Sequence, residues 1–317
     1  MSKCLYCYKN IKEPHDLDQE YHTACVESFF GTKVAPVLPY KMDDMAELAK
    51  QIIQRSVSVP GVQPKLSMGI INDVLEDKTK GRMTILDALN GLYILKPQNK
   101  NYPFMPENEH LSMRLAELFG IDVVPSTLIR LESNELCYLT KRIDRTDENK
   151  KIHMIDFLQI LELEDKYMGT MEQLGKKIGE LSEYVLLDKL RFFELALFNF
   201  VIVNNDMHLK NFSMILSDNG WMLSPAYDLL NVKIILPSDK DETALLMGGK
   251  KKNHSRSYFE RFGDQLELNN KQIQSVFKRI EKWLPKAQLL INKSFLPKDL
   301  KLEYIEVIST QVAKLEA

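Results

Sequence analysis

The run Asn204-Asn205-Asp206-Met207-His208-Leu209-Lys210-Asn211 sets a carboxylate, an imidazole, an ammonium and an amide close together, and a second acid, Asp228, follows in SPAYDLL on what is expected to be the next strand. That set suits phosphoryl transfer, which asks a protein mainly for position and charge neutralisation. One carboxylate must hold and deprotonate the attacking hydroxyl, and Mg²⁺ needs hard oxygen ligands such as a carboxylate and an amide oxygen. On this reading Asp206 is the base, Asn211 and Asp228 hold the metal, and Lys210 neutralises charge on the transferred group. Each residue alone is an ordinary turn or cap residue. Together, directly after the greasy run Phe192–Phe200, they point to a catalytic loop between packed elements.

A second constellation lies at the other end of the chain. Three of the 4 cysteines fall near the N-terminus, in the pattern Cys4-x2-Cys7-x14-His22-x2-Cys25. Two close ligand pairs separated by a loop suit a tetrahedral Cys₃His zinc site, which would stabilise a segment too small to fold alone. Free thiols in a loose arm and a redox-sensitive disulfide are the competing readings, and His15 is an alternative ligand. Cys137 reads as a buried small apolar residue.

The order N-x-D-x-H-x-K-N-F-S (Asn204, Asp206, His208, Lys210, Asn211, Phe212, Ser213) followed by S-P-x-Y-D (Ser224, Pro225, Tyr227, Asp228) resembles the catalytic and metal-binding loops of the HipA family. These are bacterial Ser/Thr protein kinases with a kinase-like fold, many of them toxins of toxin–antitoxin pairs. The resemblance implies ATP and Mg²⁺ as cofactors, with His208 and Tyr227 joining Asn211 and Asp228 at the nucleotide. SVPGVQPK (Ser58–Lys65) resembles the family's Gly-rich loop, which would bring Gly61, Val62, Gln63 and Lys65 to the phosphates; an ordinary hairpin turn explains the same residues. A loop serine is an autophosphorylation site in the family, and Ser58, with Ser56 as a second candidate, matches it. A phosphate there adds roughly −1.5 to −2 charge and repels the nucleotide.

Lys96, ending the strand GLYILK, matches the family's ATP lysine. Glu109 is its helix partner by analogy with protein kinases generally, or equally a favourable first-turn acid. TKRIDR (Thr140–Arg145) resembles the hinge, with Ile143 replacing the family's Phe. It implies that Lys141 and Ile143 offer backbone groups to adenine and that Asp144 faces the ribose or the metal's surroundings. The similarity runs from Ser56 to Phe262 and includes the basic stretch Lys250–Lys252 with Arg256, which reads either as a contact for an acidic substrate or as a solvated loop. Longer family members carry a further N-terminal domain before the Gly-rich loop, whereas shorter stand-alone members include kinases that act on host cells.

The elements that must position these residues are legible in outline. Strands are expected around 56–72, Gly91–Lys96, Val123–Leu131 and Glu135–Thr140, the last two as a hairpin over Ser133-Asn134. Helices are expected over Met45–Ile53, Glu107–Gly120, 154–162, 170–203 in pieces, 256–266, 270–284 and 298–316. The expected architecture is α+β, a bilobal protein-kinase-like fold with a strand-rich N-lobe and a mostly helical C-lobe. The expected divisions are a zinc module at 1–32, an N-lobe at 33–140 and a C-lobe at 141–317.

Composition narrows the field. The chain has 317 residues, 44% hydrophobic and 27% charged, and its 42 basic against 44 acidic residues leave a net charge of −2. That balance argues against a general nucleic-acid coat or a membrane-surface protein. Four cysteines in such a length make no disulfide scaffold, and the start shows no apolar leader region, so a bacterial cytoplasmic location is expected, with export to host cells by a signal-independent route as an alternative. The resulting expectation is a HipA-type Ser/Thr protein kinase acting on a protein substrate, with an antitoxin partner, structural Zn²⁺, and no membrane or direct nucleic-acid contact. Two rivals stay open: a small-molecule or phosphoinositide-type kinase, and a zinc-dependent DNA-binding or adaptor protein with an inactive kinase fold.

Overall fold

In the computed structural model, which describes residues 2–45, 47, 65–72, 81–85 and 91–316, the apolar runs of the N-terminal half form a five-stranded antiparallel sheet. Its strands are β1 (Leu66–Asn72), β2 (Gly81–Ile85), β3 (Tyr93–Lys96), β4 (Ser126–Arg130) and β5 (Leu136–Lys141), in the order β2-β1-β3-β5-β4. The hairpin β4–β5 turns through Asn134, whose φ of 83° is one that Asn tolerates better than most residues. Its edge strand β4 is covered by the N-terminal segment: Leu128 N–H donates to Leu5, Tyr21 Oη donates to the Leu128 carbonyl, and Arg130 makes a bidentate pair with Glu20. Covering an edge in this way removes a template for unwanted strand pairing.

That N-terminal segment holds two short helices, α1 (Pro14–Gln19) and α2 (Thr23–Phe30). Proline starts α1, where a missing N–H costs nothing, and Gly31 at φ 71° ends α2. Buried Asp16 accepts from both the backbone N–H and the hydroxyl of Thr23, fixing one helix to the next. The expected helix over Met45–Ile53 is seen as a helical start at residues 42–45, and most of the rest lies outside the described residues, as does the 56–64 part of the expected strand pair.

Two compact units divide the chain: Met1–His110, Val124–Lys150 and Lys293–Phe295 in the first, Leu111–Val123, Lys151–Asn292 and Leu296–Ala317 in the second. Helix α3 (Met105–Phe119) contributes residues to each and stops at Gly120, φ 100°, whose N–H bonds back to Ala116.

The second unit is mostly helical, with α4 (Phe157–Ile160), α5 (Met171–Leu181), α6 (Val185–Ile202), α7 (Arg256–Gln265), α8 (Asn270–Lys293) and α9 (Lys298–Glu316). Helix α6 is buried along most of its length, and Phe192, Phe193 and Phe198 pack on Phe262, Phe277 and Trp283. Two features differ from the sequence expectation. Residues 154–162 are not one helix: Met154–Asp156 is strand β6, and Asp156 then caps the single turn of α4 by accepting from Gln159. Strand β6 joins β7 (Ser213–Ser217) and β8 (Gly220–Leu223) in a small sheet whose three- to five-residue strands are too short to show a period. Helix α8 continues past Pro285 to Lys293, because the proline is on the exposed face while Ala287 and Ile291 extend the buried stripe. Among the described residues no helix is long and apolar enough to cross a membrane.

Candidate active site

In the first unit, β3 delivers Lys96 opposite Tyr138 on β5. The Lys96 ammonium is buried, lies 5.4 Å from the centre of the Tyr138 ring, and pairs with Glu109 Oε1 on α3 at 2.5 Å. Both side chains are 5% exposed or less, so this is a buried ion pair and breaking it is costly. Of the two readings of Glu109, the helix partner of Lys96 is the one present. Nearby, Gln98 donates to both oxygens of Glu107, whose carboxyl burial pushes up.

The hinge-like segment leaves β5. Lys141 N–H donates to Pro125, and its ammonium lies over the Phe29 ring. Ile143 is half-buried. Asp144 accepts from the guanidinium groups of Arg142 and Arg145 at 2.7–2.9 Å; burial works against ionisation, but these bonds hold its carboxyl below the usual range. Lys65 is exposed just before β1, while Ser56, Ser58, Gly61, Val62 and Gln63 lie outside the described residues.

In the second unit, α6 ends at Val203 in the left-handed region, φ 52°, which is costly for a β-branched residue. The strain is held by the Asn204 N–H on the Asn199 carbonyl and by the Val232 N–H on the Val203 carbonyl. The buried Asn204 side chain donates to Asn199 Oδ1 at 2.9 Å and reaches the Asp228 carbonyl at 3.5 Å. Asn205 donates to the Asp241 carbonyl. Beyond this anchor Asp206 is half-buried, and a single 3₁₀ turn, Leu209–Asn211, follows. Asn211 Nδ2 donates to the Asp206 carbonyl at 3.2 Å, which leaves its amide oxygen directed away from that group.

Asp228 has φ 57°, a left-handed conformation that non-glycine residues seldom hold without a reason. It follows a bridge in which Ala226 N–H donates to Asp122, so it sits on a loop and not on a strand. Tyr227 hydrogen-bonds Ser213 and donates to the Lys210 carbonyl; burial pushes its hydroxyl up, so it stays protonated. Lys210 itself is half-exposed, and His208 is buried with Tyr167 edge-on at 5.4 Å.

Tyr167 is the residue that sequence reasoning missed. Its hydroxyl donates to Asp206 Oδ1 at 2.7 Å, and partial burial together with that carboxylate raises its pKa. The loop carrying it also accepts from Leu209 through the Lys166 carbonyl. No local signal marks a tyrosine so far upstream. Arg256, read as part of a basic stretch, is half-buried: it bonds Glu260, Gln274 and the Leu315 carbonyl and lies over Phe277.

At the N-terminus, Cys4, Cys7, His22 and Cys25 place one donor atom each within 4.8 Å of one another. His22 Nε2 is 3.2 Å from the Asn10 carbonyl, a bond that fixes the tautomer and leaves Nδ1 facing the sulfurs of Cys7 and Cys25. Three thiols this close cannot all ionise without a cation. Hydrogen bonds from Cys25 and Cys7 hold Cys4 low, while Cys4 and Cys7 push Cys25 up. The donor set is that of a Cys₃His zinc site.

Solved structures share this architecture. HipA of Shewanella oneidensis MR-1, in complex with HipB and operator DNA, superposes with a TM-score of 0.67 at 18% identity, covering 89% of this chain and 72% of that one. The Helicobacter pylori proinflammatory kinase CtkA gives 0.51 at 17%, covering 70% and 87%. The fold is therefore α+β and kinase-like. Residues 57–288 match the family model described as HipA-like C-terminal domain, and the chain belongs to that family. A Haemophilus influenzae protein named "Putative kinase" is 30% identical over 292 residues, 83% of this chain and 82% of that protein. The Shewanella oneidensis serine/threonine-protein kinase toxin HipA is 28% identical over 202 residues, 56% of this chain, and the match spans only 43% of that relative's length.

Proposed function

We propose that the protein is an ATP- and Mg²⁺-dependent serine/threonine protein kinase of the HipA type. The observation that carries this is the loop after α6, where Asp206 and Asn211 are joined by a side-chain hydrogen bond and Asn204 ties the same loop to Asp228. Asp206 would take the proton of the attacking hydroxyl. Asn211, through its amide oxygen, and Asp228 would hold Mg²⁺, which when bound supplies charge neutralisation at the phosphates. Lys96, kept in place by Glu109, and Lys210 would meet the nucleotide's negative charge. His208, Tyr227, Lys65, Gly61, Val62, Gln63 and the hinge residues Lys141, Ile143 and Asp144 complete the nucleotide contacts in this reading, with autophosphorylation on Ser56 or Ser58.

Incubation of the full chain with labelled ATP and Mg²⁺ tests this. Wild type should label itself and a generic protein acceptor. Asp206→Ala and Asp228→Ala should each lower transfer by about 10²- to 10⁴-fold, the usual contribution of a positioned base or comparable group. Transfer that survives both substitutions sinks the proposal, and label found only in small molecules redirects it to the small-molecule kinase. The Shewanella neighbour is solved with HipB and DNA, and on that likeness we propose an antitoxin partner for this chain too. We also assign a structural Zn²⁺ to Cys4, Cys7, His22 and Cys25, on the strength of their clustered donor atoms and of the His22 Nε2 bond to the Asn10 carbonyl, which turns Nδ1 toward the sulfurs.

A further inference from the structure

We propose that the Cys4–Cys7–His22–Cys25 metal centre positions the Lys96–Glu109 pair, acting through Tyr8 and His110. This rests on the zinc assignment above, and on the kinase reading only for its effect on nucleotide binding.

Tyr8 follows Cys7 directly, so whatever fixes Cys7 fixes the Tyr8 backbone. That backbone has φ 64°, an unfavourable left-handed value for a tyrosine. Something must over-determine it. The turn is closed by Tyr8 N–H on the Cys4 carbonyl at 3.0 Å and by Cys4 N–H on the Lys9 carbonyl at 2.9 Å, both at the ligand residues themselves.

From this turn the Tyr8 side chain enters the unit and is 1% exposed. Its hydroxyl is 2.8 Å from His110 Nδ1, and the two rings meet edge-on at 5.1 Å. Phe295 packs against it at 5.7 Å. His110 is fully buried and adjoins Glu109, the partner of Lys96. The His110 ring also lies 6.5 Å from that of Tyr138, the aromatic face beneath the Lys96 ammonium. An unbroken buried path thus leads from the cysteine turn to Glu109 and Tyr138, two groups that touch Lys96. Zinc bonds to three thiolates and an imidazole hold such a turn far more firmly than hydrogen bonds among thiols. Tyr8 and His110 are positioning residues on this account; neither contacts the nucleotide.

The test uses the full-length protein in three forms: wild type, Tyr8→Phe, and wild type stripped with a chelator and then reloaded with Zn²⁺. Metal analysis, amide hydrogen exchange over residues 105–119 and the affinity for a non-hydrolysable ATP analogue are measured on each. Wild type should carry about one zinc per chain. Tyr8→Phe should keep the zinc, yet exchange faster near His110 and bind the analogue more weakly, each by about fivefold, the effect of losing one buried hydrogen bond. Stripping should do at least as much, and Zn²⁺ but not Mg²⁺ should reverse it. Stripping that speeds exchange in residues 2–31 alone overturns the proposal, because the metal then serves only its own turn. Unchanged exchange in Tyr8→Phe overturns the link through Tyr8. Wild type without zinc removes the zinc assignment and this inference with it. Failure of labelled-ATP transfer leaves the metal and exchange readouts intact, so the kinase reading fails separately.

Discussion

Asp206 carries two constraints that a sequence does not display. Its carbonyl accepts from Asn211 and its carboxylate accepts from Tyr167. If Asp206 is the base, Tyr167 occupies Oδ1 and sets the rotamer that leaves the other oxygen for substrate. Tyr167→Phe should lower kcat by about tenfold, within the worth of a hydrogen bond to a charged group, and leave the KM for ATP unchanged. Steady-state kinetics on the two proteins checks this, and a rise in KM with kcat unaltered would assign Tyr167 to binding instead. The motif residues were legible one by one because their chemistry is local to each type. Tyr167 was not, because nothing in the string relates it to Asp206.

At the scale of elements, Glu242 ties the segment after Asp228 to α9. It accepts from both the backbone N–H and the ring of His254 and pairs with Lys314 at 2.7 Å. Burial opposes its ionisation, but these bonds bring its pKa down to about 2 from an ordinary 4.5. A folded-state pKa below the unfolded one contributes stability that is present above pH 4.5 and lost as the pH falls toward 2. Glu242→Gln should therefore be less stable than wild type at pH 7, and the gap should narrow as the pH is lowered through that window. Urea unfolding at pH 7 and pH 3 measures it, and a constant gap would show that the carboxylate's charge is not what stabilises. The core gives a second prediction. Trp283 is 3% exposed, packs on Phe119 and Phe198, and donates to the Leu115 carbonyl. Trp283→Ala should cost about 3–5 kcal/mol, read from the shift in the urea midpoint. The helix over 270–284 was visible in the sequence as apolar spacing, but the place of Trp283 on its buried face was not. Strands β6–β8 were not visible either, since strands this short are specified by their partners and not by their own pattern.

For the whole molecule, a ligand that binds only the folded state stabilises it by mass action. Mg²⁺·ATP at a hundredfold its dissociation constant should add about 2.7 kcal/mol, seen as a rise in the thermal midpoint. Asp228→Ala should abolish that rise at the same concentration while the protein stays folded. An equal rise in the variant would place the nucleotide elsewhere. Two compact units, one mostly sheet and one mostly helix, share the chain, and α3 contributes residues to each. The expectation of a strand-rich part followed by a mostly helical part matches this contrast, because hydrophobic period is a property of neighbours along the chain. It did not foretell that Lys293–Phe295 group with the first unit, since chain return is decided by packing.

The sequence by itself determined the types and spacing of the chemical groups: the Asp206-to-Asn211 run, Asp228, the lysine ending β3, and the Cys₃His pattern. It also determined most helices, through their apolar period. Only the tertiary structure decided which groups meet. Lys96 reaches Glu109 across 13 positions, Tyr167 reaches Asp206 across 39, and Tyr8 reaches His110 across 102. The reason is physical. Backbone geometry and side-chain period act over a few residues, whereas a buried hydrogen bond is made wherever burial leaves a donor and an acceptor facing one another, at whatever distance along the chain.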